Sequence, residues 1–350
     1  MVRLRRVSCS GPGLTRRRRG KGFVYLDAAG QRVSDEATLA RIAALVIPPA
    51  WDDVWICPVS TGHVQATGVD ARGRRQYRYH DAWRIQRDLA KHDRILSFAE
   101  RLPEARARIG ADLALEGLPR ERVLACAVRL IDLGFFRVGG EKYAEENESY
   151  GVATLLKEHV TVSRGEATFC FTGKSGKDWQ TTIAEPDVVE VVTALKRRRG
   201  GGPELLAWKG DDGSWVDVRS GDVNAYLRDV TGGDGTAKDF RTWAATVLAA
   251  VGLAVSAESA HSPTARKRAA ARVVREVADY LGNTPAVCRA SYIDPRLFDH
   301  FESGRTIAGD LDRLGDGTGH GELAVQGDVE AAVLALLRDP ADAPALSATA

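Results

Sequence analysis

The feature that most constrains the fold is a change of texture near residue 80. Before it, short runs of β-forming residues alternate with turn signals: Gly22-Phe-Val-Tyr-Leu, Val54-Trp-Ile-Cys-Pro, His63-Val-Gln-Ala-Thr-Gly and Gln76-Tyr-Arg-Tyr. Asp27-Ala-Ala-Gly30 and Asp70-Ala-Arg-Gly73 suit the tight turns of hairpins. From Trp83 to Leu133 the pattern becomes helical. Its clearest helix starts at Pro119, a good first helical residue, and stops at Gly134, with Val123, Cys126, Ala127, Leu130 and Ile131 recurring at helix spacing. At 350 residues the chain has room for two domains, each with its own core. The expected fold class is α+β: a small antiparallel β-rich N-terminal domain and a larger, mainly helical domain containing a β-hairpin.

That hairpin is the one β interlude in the helical part. Ala167–Thr172 and Asp178–Ile183 flank the turn Gly173-Lys-Ser-Gly-Lys177, which puts Lys174 at or near the tip. Arg197-Arg-Arg-Gly-Gly-Gly202 reads as a flexible loop. Helices are expected over Val223–Val230, Asp239–Leu253 and Ala265–Leu281, the last followed by Gly282 as C-cap, with a short helix at Pro285 capped by Thr284. The resulting division is 1–22, a basic arm; 23–85, the β-rich domain; 86–308, the helical domain; and 309–350, an acidic accessory tail with one short helix over Val329–Leu337.

The net charge of +2 conceals this division. Residues 1–22 carry eight Arg or Lys and no acid, whereas 309–350 carry eight acids against two bases. A basic arm seeks nucleic acid or another polyanion, unless it is simply a solvated tail. Five scattered cysteines with no C-x-x-C pair argue against a disulfide framework and a zinc site, and suit a reducing cytoplasm. The basic start has no apolar stretch behind it, so no signal peptide is expected. The run Ala244–Ala257 falls short of a membrane span and reads as a buried helix.

Four short stretches carry chemistry together: Phe136-Arg-Val-Gly-Gly140, Gly173-Lys-Ser-Gly176, Lys238-Asp-Phe-Arg-Thr-Trp243, and Gly282-Asn-Thr-Pro-Ala-Val-Cys-Arg-Ala-Ser-Tyr-Ile-Asp-Pro295. In this order, from about Tyr25 to Ile307, the chain resembles the type IB DNA topoisomerases of the small, poxvirus-like bacterial group, relatives of the tyrosine recombinases. The resemblance makes Tyr292 the nucleophile and Arg137, Lys174 and Arg241 catalytic. Asn283, nine residues before the tyrosine, falls where the family has His or Asn. Lys238 sits where the recombinases usually have the His of H-x-x-R and counts here as a DNA contact. Gly73-Arg-Arg-Gln-Tyr-Arg-Tyr79 resembles the family's DNA-contacting segment, with Gln76, Tyr77 and Tyr79 as contacts. The implied partner is duplex DNA, bound by a monomer in the cytoplasm at the nucleoid.

These residue types suit that chemistry. A free tyrosine titrates near pH ~10, so about one in a thousand is phenolate at neutral pH, a deficit of roughly 4 kcal/mol. Two arginines beside the phosphate stabilise the phenolate and the charge growing on the non-bridging oxygens, because Arg stays charged and offers a planar fork. The departing 5′-hydroxyl needs a proton, which Lys174 can deliver as general acid. Lys177, on the same turn, competes for that role. Asn283 carries no charge and contributes one hydrogen bond. A phosphotyrosyl ester conserves the energy of the phosphodiester, so no ATP is expected. Gly173-Lys-Ser-Gly also lacks the leading glycine of G-x-x-x-x-G-K-[ST]. No carboxylate or histidine cluster has metal-ligand spacing, so neither a metal nor another cofactor is expected.

Each residue alone has an ordinary reading: Tyr292 as a packing tyrosine, the arginines as surface or ion-paired residues, Lys174 as an exposed turn lysine, Gln76, Tyr77 and Tyr79 as a solvated sheet face. The ordered set outweighs these for the catalytic residues. Two rivals stand. A tyrosine recombinase would share the nucleophile and arginines, but Lys238 and the β-rich first domain speak against it. A non-catalytic DNA-binding protein would leave the ordered set unexplained.

Overall fold

The computed structural model describes residues 3–20, 22–316, 318 and 323–339. Lys21 of the basic stretch, and Glu322 and Asp342 of the acidic one, lie outside the described residues. The chain divides into two compact units at Asp93/Arg94.

The first unit is a five-stranded antiparallel sheet in the order β2-β1-β3-β4-β5, formed by β1 (Leu14–Arg19), β2 (Gly22–Leu26), β3 (Asp52–Ile56), β4 (Val64–Val69) and β5 (Arg75–Tyr79), with α1 (Glu36–Ala44) between β2 and β3. Its core is small: Leu14, Ile42, Val54, Ile56 and Ala66 are buried, and Tyr25, Val33 and Trp51 pack on them. Gly68 is required here, because a Cβ would stand 2.8 Å from the Trp51 ring. The expected basic arm needs correcting over residues 14–19, which form a strand paired with both β2 and β3. Leu14 faces the core, and Arg16 is accommodated because its guanidinium donates to the carbonyls of Pro48 (3.0 Å) and Trp51 (2.6 Å) and lies 4.2 Å from the Phe23 ring centroid.

The long helix α2 (Asp81–Leu113) runs past the division into the second unit. There α3 (Arg120–Gly134) forms the central element, buried without interruption from Val123 to Gly134. Pro119 is its N-cap, and Phe135, left-handed at φ 54°, ends it. Next come α4 (Glu141–Asn147), the three-stranded sheet of β6 (Val160–Ser163), β7 (Glu166–Thr172) and β8 (Asp178–Ile183), and α5 (Pro186–Arg197). The pair β9 (Ala207–Lys209) and β10 (Trp215–Asp217) precedes α6 (Ser220–Val230), α7 (Ala237–Ala257), α8 (Pro263–Tyr280), α9 (Pro285–Ser291), α10 (Arg296–Glu302) and α11 (Asp328–Arg338). The hairpin therefore gains a third strand, β6, which the sequence reading did not anticipate. The loop after α5 is pinned by Arg198, whose guanidinium donates to the carbonyls of Leu205 (2.6 Å) and Glu204 (2.5 Å). By length and apolarity α7 could cross a membrane, but most of it is buried within the protein.

The expected accessory tail is also corrected. Val329, Val333 and Leu337 of α11 are buried in the main core. Glu330 accepts from Arg106 (2.5 and 3.1 Å) and from the Trp243 indole (2.8 Å). Arg106 also reaches Asp132 on α3 (2.8 and 3.0 Å), and Arg129 links Asp132 (2.6 Å) to Glu185 (2.8 Å). Buried charges are costly unless paired and hydrogen-bonded in this way.

Candidate active site

Each of the four motifs folds for a local reason. Past α3 the chain of Phe136-Arg-Val-Gly-Gly140 is held by Val152 and Ala153, whose N–H groups donate to the carbonyls of Arg137 and Val138, both at 2.8 Å. Gly139 (φ +81°) and Gly151 touch backbone to backbone, and a Cβ on Gly151 would come within 2.4 Å of the Gly139 nitrogen. Only glycine fits there. Arg137 thereby emerges half-buried, and its Nη2 donates to Asn283 Oδ1 at 3.1 Å.

Lys174 is exposed and opens a single 3-10 turn, Lys174–Gly176, at the tip of the β7–β8 hairpin. The base of that turn is closed by Gly173 N–H donating to the Lys177 carbonyl (2.7 Å) and by Ser149 Oγ donating to the Gly173 carbonyl (2.6 Å).

Arg241 rides the first turns of α7, which is fixed by Asp239. That carboxylate accepts from the backbone N–H and hydroxyl of Thr236 (2.9 and 2.8 Å) and pairs with Arg94 at 2.5 Å. Arg241 is only 3% exposed. It donates to the carbonyls of Phe135 and Leu281, the latter at 2.7 Å. Burial and then the neighbouring Arg137 pull its pKa down, to about 10, against an opposing effect of Tyr292. At neutral pH it remains charged. Among the described residues neither Arg137 nor Arg241 is ion-paired.

Asn283 follows the left-handed Gly282 (φ +63°) at the end of α8, its N–H donating to the Ala278 carbonyl at 2.8 Å. Tyr292 is the C-cap of α9, whose N-cap Thr284 accepts from Val287 N–H through its hydroxyl. The Tyr292 N–H donates to the Cys288 carbonyl (2.9 Å), and its own carbonyl accepts from Thr246 Oγ1 of α7 (3.2 Å). The half-buried ring lies 5.7 Å from Arg241 Cζ and 5.8 Å from Lys238 Nζ.

Arg137, Lys174, Lys177, Arg241 and Asn283 line one cavity of about 420 Å³. Tyr292 is not in its wall but stands against Arg241. Three buried donors of the cavity's residues have no acceptor: Arg241 Nε, Asn283 Nδ2 and Trp179 Nε1. The unpaired arginines, with the free donors of Arg241 and Asn283, are what a phosphate group entering the site would satisfy, since buried polar groups are costly until hydrogen-bonded. The cavity does not separate Lys174 from Lys177, because both line it. Asp178 and Asp279 also line it, and among the described residues no group of three His, Cys, Asp or Glu could hold a metal.

Gln76, Tyr77 and Tyr79 lie on β5, an edge strand of the first unit. Tyr77 and Tyr79 are exposed and share one face, their rings stacked at 5.9 Å. Gln76 alternates to the other face and donates to Asp70 at 2.9 Å, so it does not join the tyrosine pair. The sequence reading missed Trp179 and the Asp239–Arg94 anchor. Asp239 stands inside a quoted motif and Trp179 inside the expected strand Asp178–Ile183, but nothing in the sequence singled out Arg94.

The helical unit thus sets Tyr292 against Arg241 at the edge of a cavity of about 420 Å³ that Arg137, Lys174 and Lys177 also line, an arrangement suited to handling a phosphate group. Comparison with known proteins narrows this. Residues 80–301 match the catalytic core of eukaryotic DNA topoisomerase I, and residues 22–70 match the N-terminal domain of bacterial DNA topoisomerase IB. A "DNA topoisomerase 1B" of Acanthamoeba polyphaga mimivirus is 30% identical over 286 residues, 80% of this chain and 85% of that protein. The "DNA topoisomerase 1B" of vaccinia virus (strain Western Reserve) is 22% identical over 235 residues, 66% of this chain and 70% of its own length. The chain belongs to the type IB DNA topoisomerases.

Proposed function

We propose that the protein relaxes supercoiled duplex DNA by cutting and resealing one strand through Tyr292, without ATP or metal. The observation that carries this reading is a pair of arginines, Arg137 and Arg241, that share one cavity and have no ion-pair partner among the described residues. A buried cation without a counter-charge is expensive, and the missing counter-charge is the scissile phosphate.

Tyr292 Oη gives its proton to water and forms a P–O bond to the scissile phosphate, with Arg241 beside the ring stabilising the phenolate. The P–O bond to the 5′ oxygen breaks, and that oxygen takes a proton from Lys174. Arg137 and Asn283, already hydrogen-bonded to each other, hold non-bridging oxygens. The strand now ends in a 3′-phosphotyrosyl ester. Its free 5′ end rotates about the intact strand, and its hydroxyl then attacks back. Lys238, near the Tyr292 ring, contacts DNA at the break, and Tyr77 and Tyr79 on β5 are further DNA contacts. Contacts are mainly to the backbone, so binding weakens steeply with salt. The protein acts as a monomer on cytoplasmic DNA.

The test is relaxation of a supercoiled plasmid in EDTA without ATP, with wild type beside Tyr292→Phe. Wild type is expected to relax both signs of supercoil, while the variant binds DNA but forms no covalent adduct. Cleavage by Tyr292→Phe at the wild-type rate would remove Tyr292 as nucleophile. Strand joining confined to a defined pair of sites would favour a recombinase.

A further inference from the structure

Trp179 belongs to none of the residues assigned a role above, yet it stands between two that are. It lies five residues after Lys174, on the second strand of the hairpin, paired across the ladder with Phe171. Its six-membered ring rests on Gly282, the residue before Asn283: a Cβ built on Gly282 would come within 2.6 Å of Trp179 Cζ3 and 3.2 Å of Cε3. Gly282 is thus bound to glycine twice over, by this contact and by its left-handed φ of +63°. The indole N–H is buried and has no acceptor, so packing and not hydrogen bonding holds the ring in place. Trp179, Gly282, Asn283 and Lys174 all line the same cavity.

The two linked groups act on different atoms of one reaction. Asn283 is fixed to Arg137 on the phosphate side, and Lys174 serves the leaving oxygen. The hairpin tip is an exposed turn, whereas the Gly282–Asn283 corner is tied to α8 through Asn283 N–H and the Ala278 carbonyl. Trp179 is the contact at which the exposed element meets the anchored one. Resting on the function proposed above, we propose that Trp179 is a positioning residue that sets the Lys174 hairpin against the Gly282–Asn283 corner, so that the proton donor and the phosphate-binding amide come to the DNA in register.

A duplex carrying sulfur in place of the bridging 5′ oxygen provides the test. Tyr292 attack forms the same P–O bond, but the P–S bond breaks and the thiolate leaves without a proton, because a thiol titrates near pH ~8.5. A defect in the Lys174 hairpin therefore shrinks on this duplex, whereas a general loss of structure does not. Single-turnover adduct formation at saturating DNA would be measured on both duplexes for wild type, Trp179→Ala, Gly282→Ala and Asn283→Ala. Trp179→Ala is expected to bind DNA like wild type and to cleave the oxygen duplex slower by on the order of 10- to 100-fold. On the sulfur duplex its loss should be at least about ten times smaller. The loss remaining on sulfur should be no greater in the Trp179→Ala/Asn283→Ala double variant than in Asn283→Ala alone. Gly282→Ala, which keeps the tryptophan but forces it off the corner, should show the same split between the duplexes. Should Trp179→Ala not fold, Gly282→Ala and Trp179→Phe carry the comparison. Equal losses on the two duplexes, a double variant whose loss on the sulfur duplex exceeds that of Asn283→Ala, or wild-type rates throughout would overturn the assignment. Wild type forming no adduct on either duplex would overturn it together with the proposed function.

Discussion

The two arginines are built differently, and replacing each by alanine should separate structure from chemistry. Arg241 is almost fully buried and satisfies the carbonyls of Phe135 and Leu281, the ends of α3 and α8. Arg241→Ala orphans both, at about 1–3 kcal/mol each. Part of that is offset, because burial and Arg137 make the charged guanidinium itself unfavourable, as its lowered pKa records. The net destabilisation should be about 2–4 kcal/mol. Arg137 is half-buried, and among the described residues its side chain makes one hydrogen bond, to Asn283, while repelling Arg241. Arg137→Ala should therefore shift stability by less than about 1 kcal/mol. For catalysis the two should look alike, each slowing adduct formation by on the order of 100-fold or more, as when an oxyanion donor is removed. Urea midpoints give the first comparison and single-turnover cleavage the second. Equal stability losses in the two variants would refute the division of labour, and rates within a few-fold of wild type would refute the shared role.

Other outcomes follow from the same structure. Glu330→Ala removes an acceptor from both Arg106 and the Trp243 indole, and should cost about 2–4 kcal/mol by urea denaturation. A loss under about 1 kcal/mol would show that α11 is not integral. Burial alone would raise Asp132, but Arg106 and Arg129 outweigh it and hold the carboxyl below its ordinary range. A depressed carboxylate contributes stability above its unfolded pKa of about 3.9 and loses it as pH falls through the folded value, so wild type should weaken below about pH 4. Asp132→Asn should flatten that acid limb, and an unchanged limb would contradict the assignment. On the sulfur-bridged duplex Lys174→Ala should recover to within a few-fold of wild type, while on the oxygen duplex it is slowed by on the order of 100-fold and Lys177→Ala is not. The reverse pattern would make Lys177 the acid.

What the sequence discloses depends on how local the cause is. Helix α3 is legible because Pro119 and the spacing of Val123, Cys126, Ala127, Leu130 and Ile131 are all within the segment. The short helix α9 is likewise marked by Thr284 and Pro285. Strand β1 is not, because a run of four arginines hides the alternation, and Arg16 turns inward only where the carbonyls of Pro48 and Trp51 receive it. The i, i+4, i+8 spacing of Val329, Val333 and Leu337 announces a helix but says nothing of its docking, which rests on Arg106 and Trp243 far away in the chain. The candidate site follows the same division. Its reactive groups stand in motifs that could be read one by one, whereas the Trp179–Gly282 contact joins two motifs and exists only once the hairpin meets α8.

The treatment of arginine across the helical unit separates frame from site. Arg106 and Arg129 each meet a carboxylate within 2.8 Å, and Arg198 has Asp217 at 3.9 Å besides its backbone carbonyls, which is how a folded protein makes a buried guanidinium tolerable. Arg241 is as buried as Arg129 but has backbone carbonyls in place of a carboxylate, and its nearest charged neighbour named above is another arginine. Carbonyls hold the fork in position without neutralising it. A carboxylate at that place would stabilise the resting protein and compete directly with phosphate for the same donors. In the proposed function the missing counter-ion leaves these donors to the phosphate of DNA, and the lowered pKa of Arg241 reflects its burial beside Arg137.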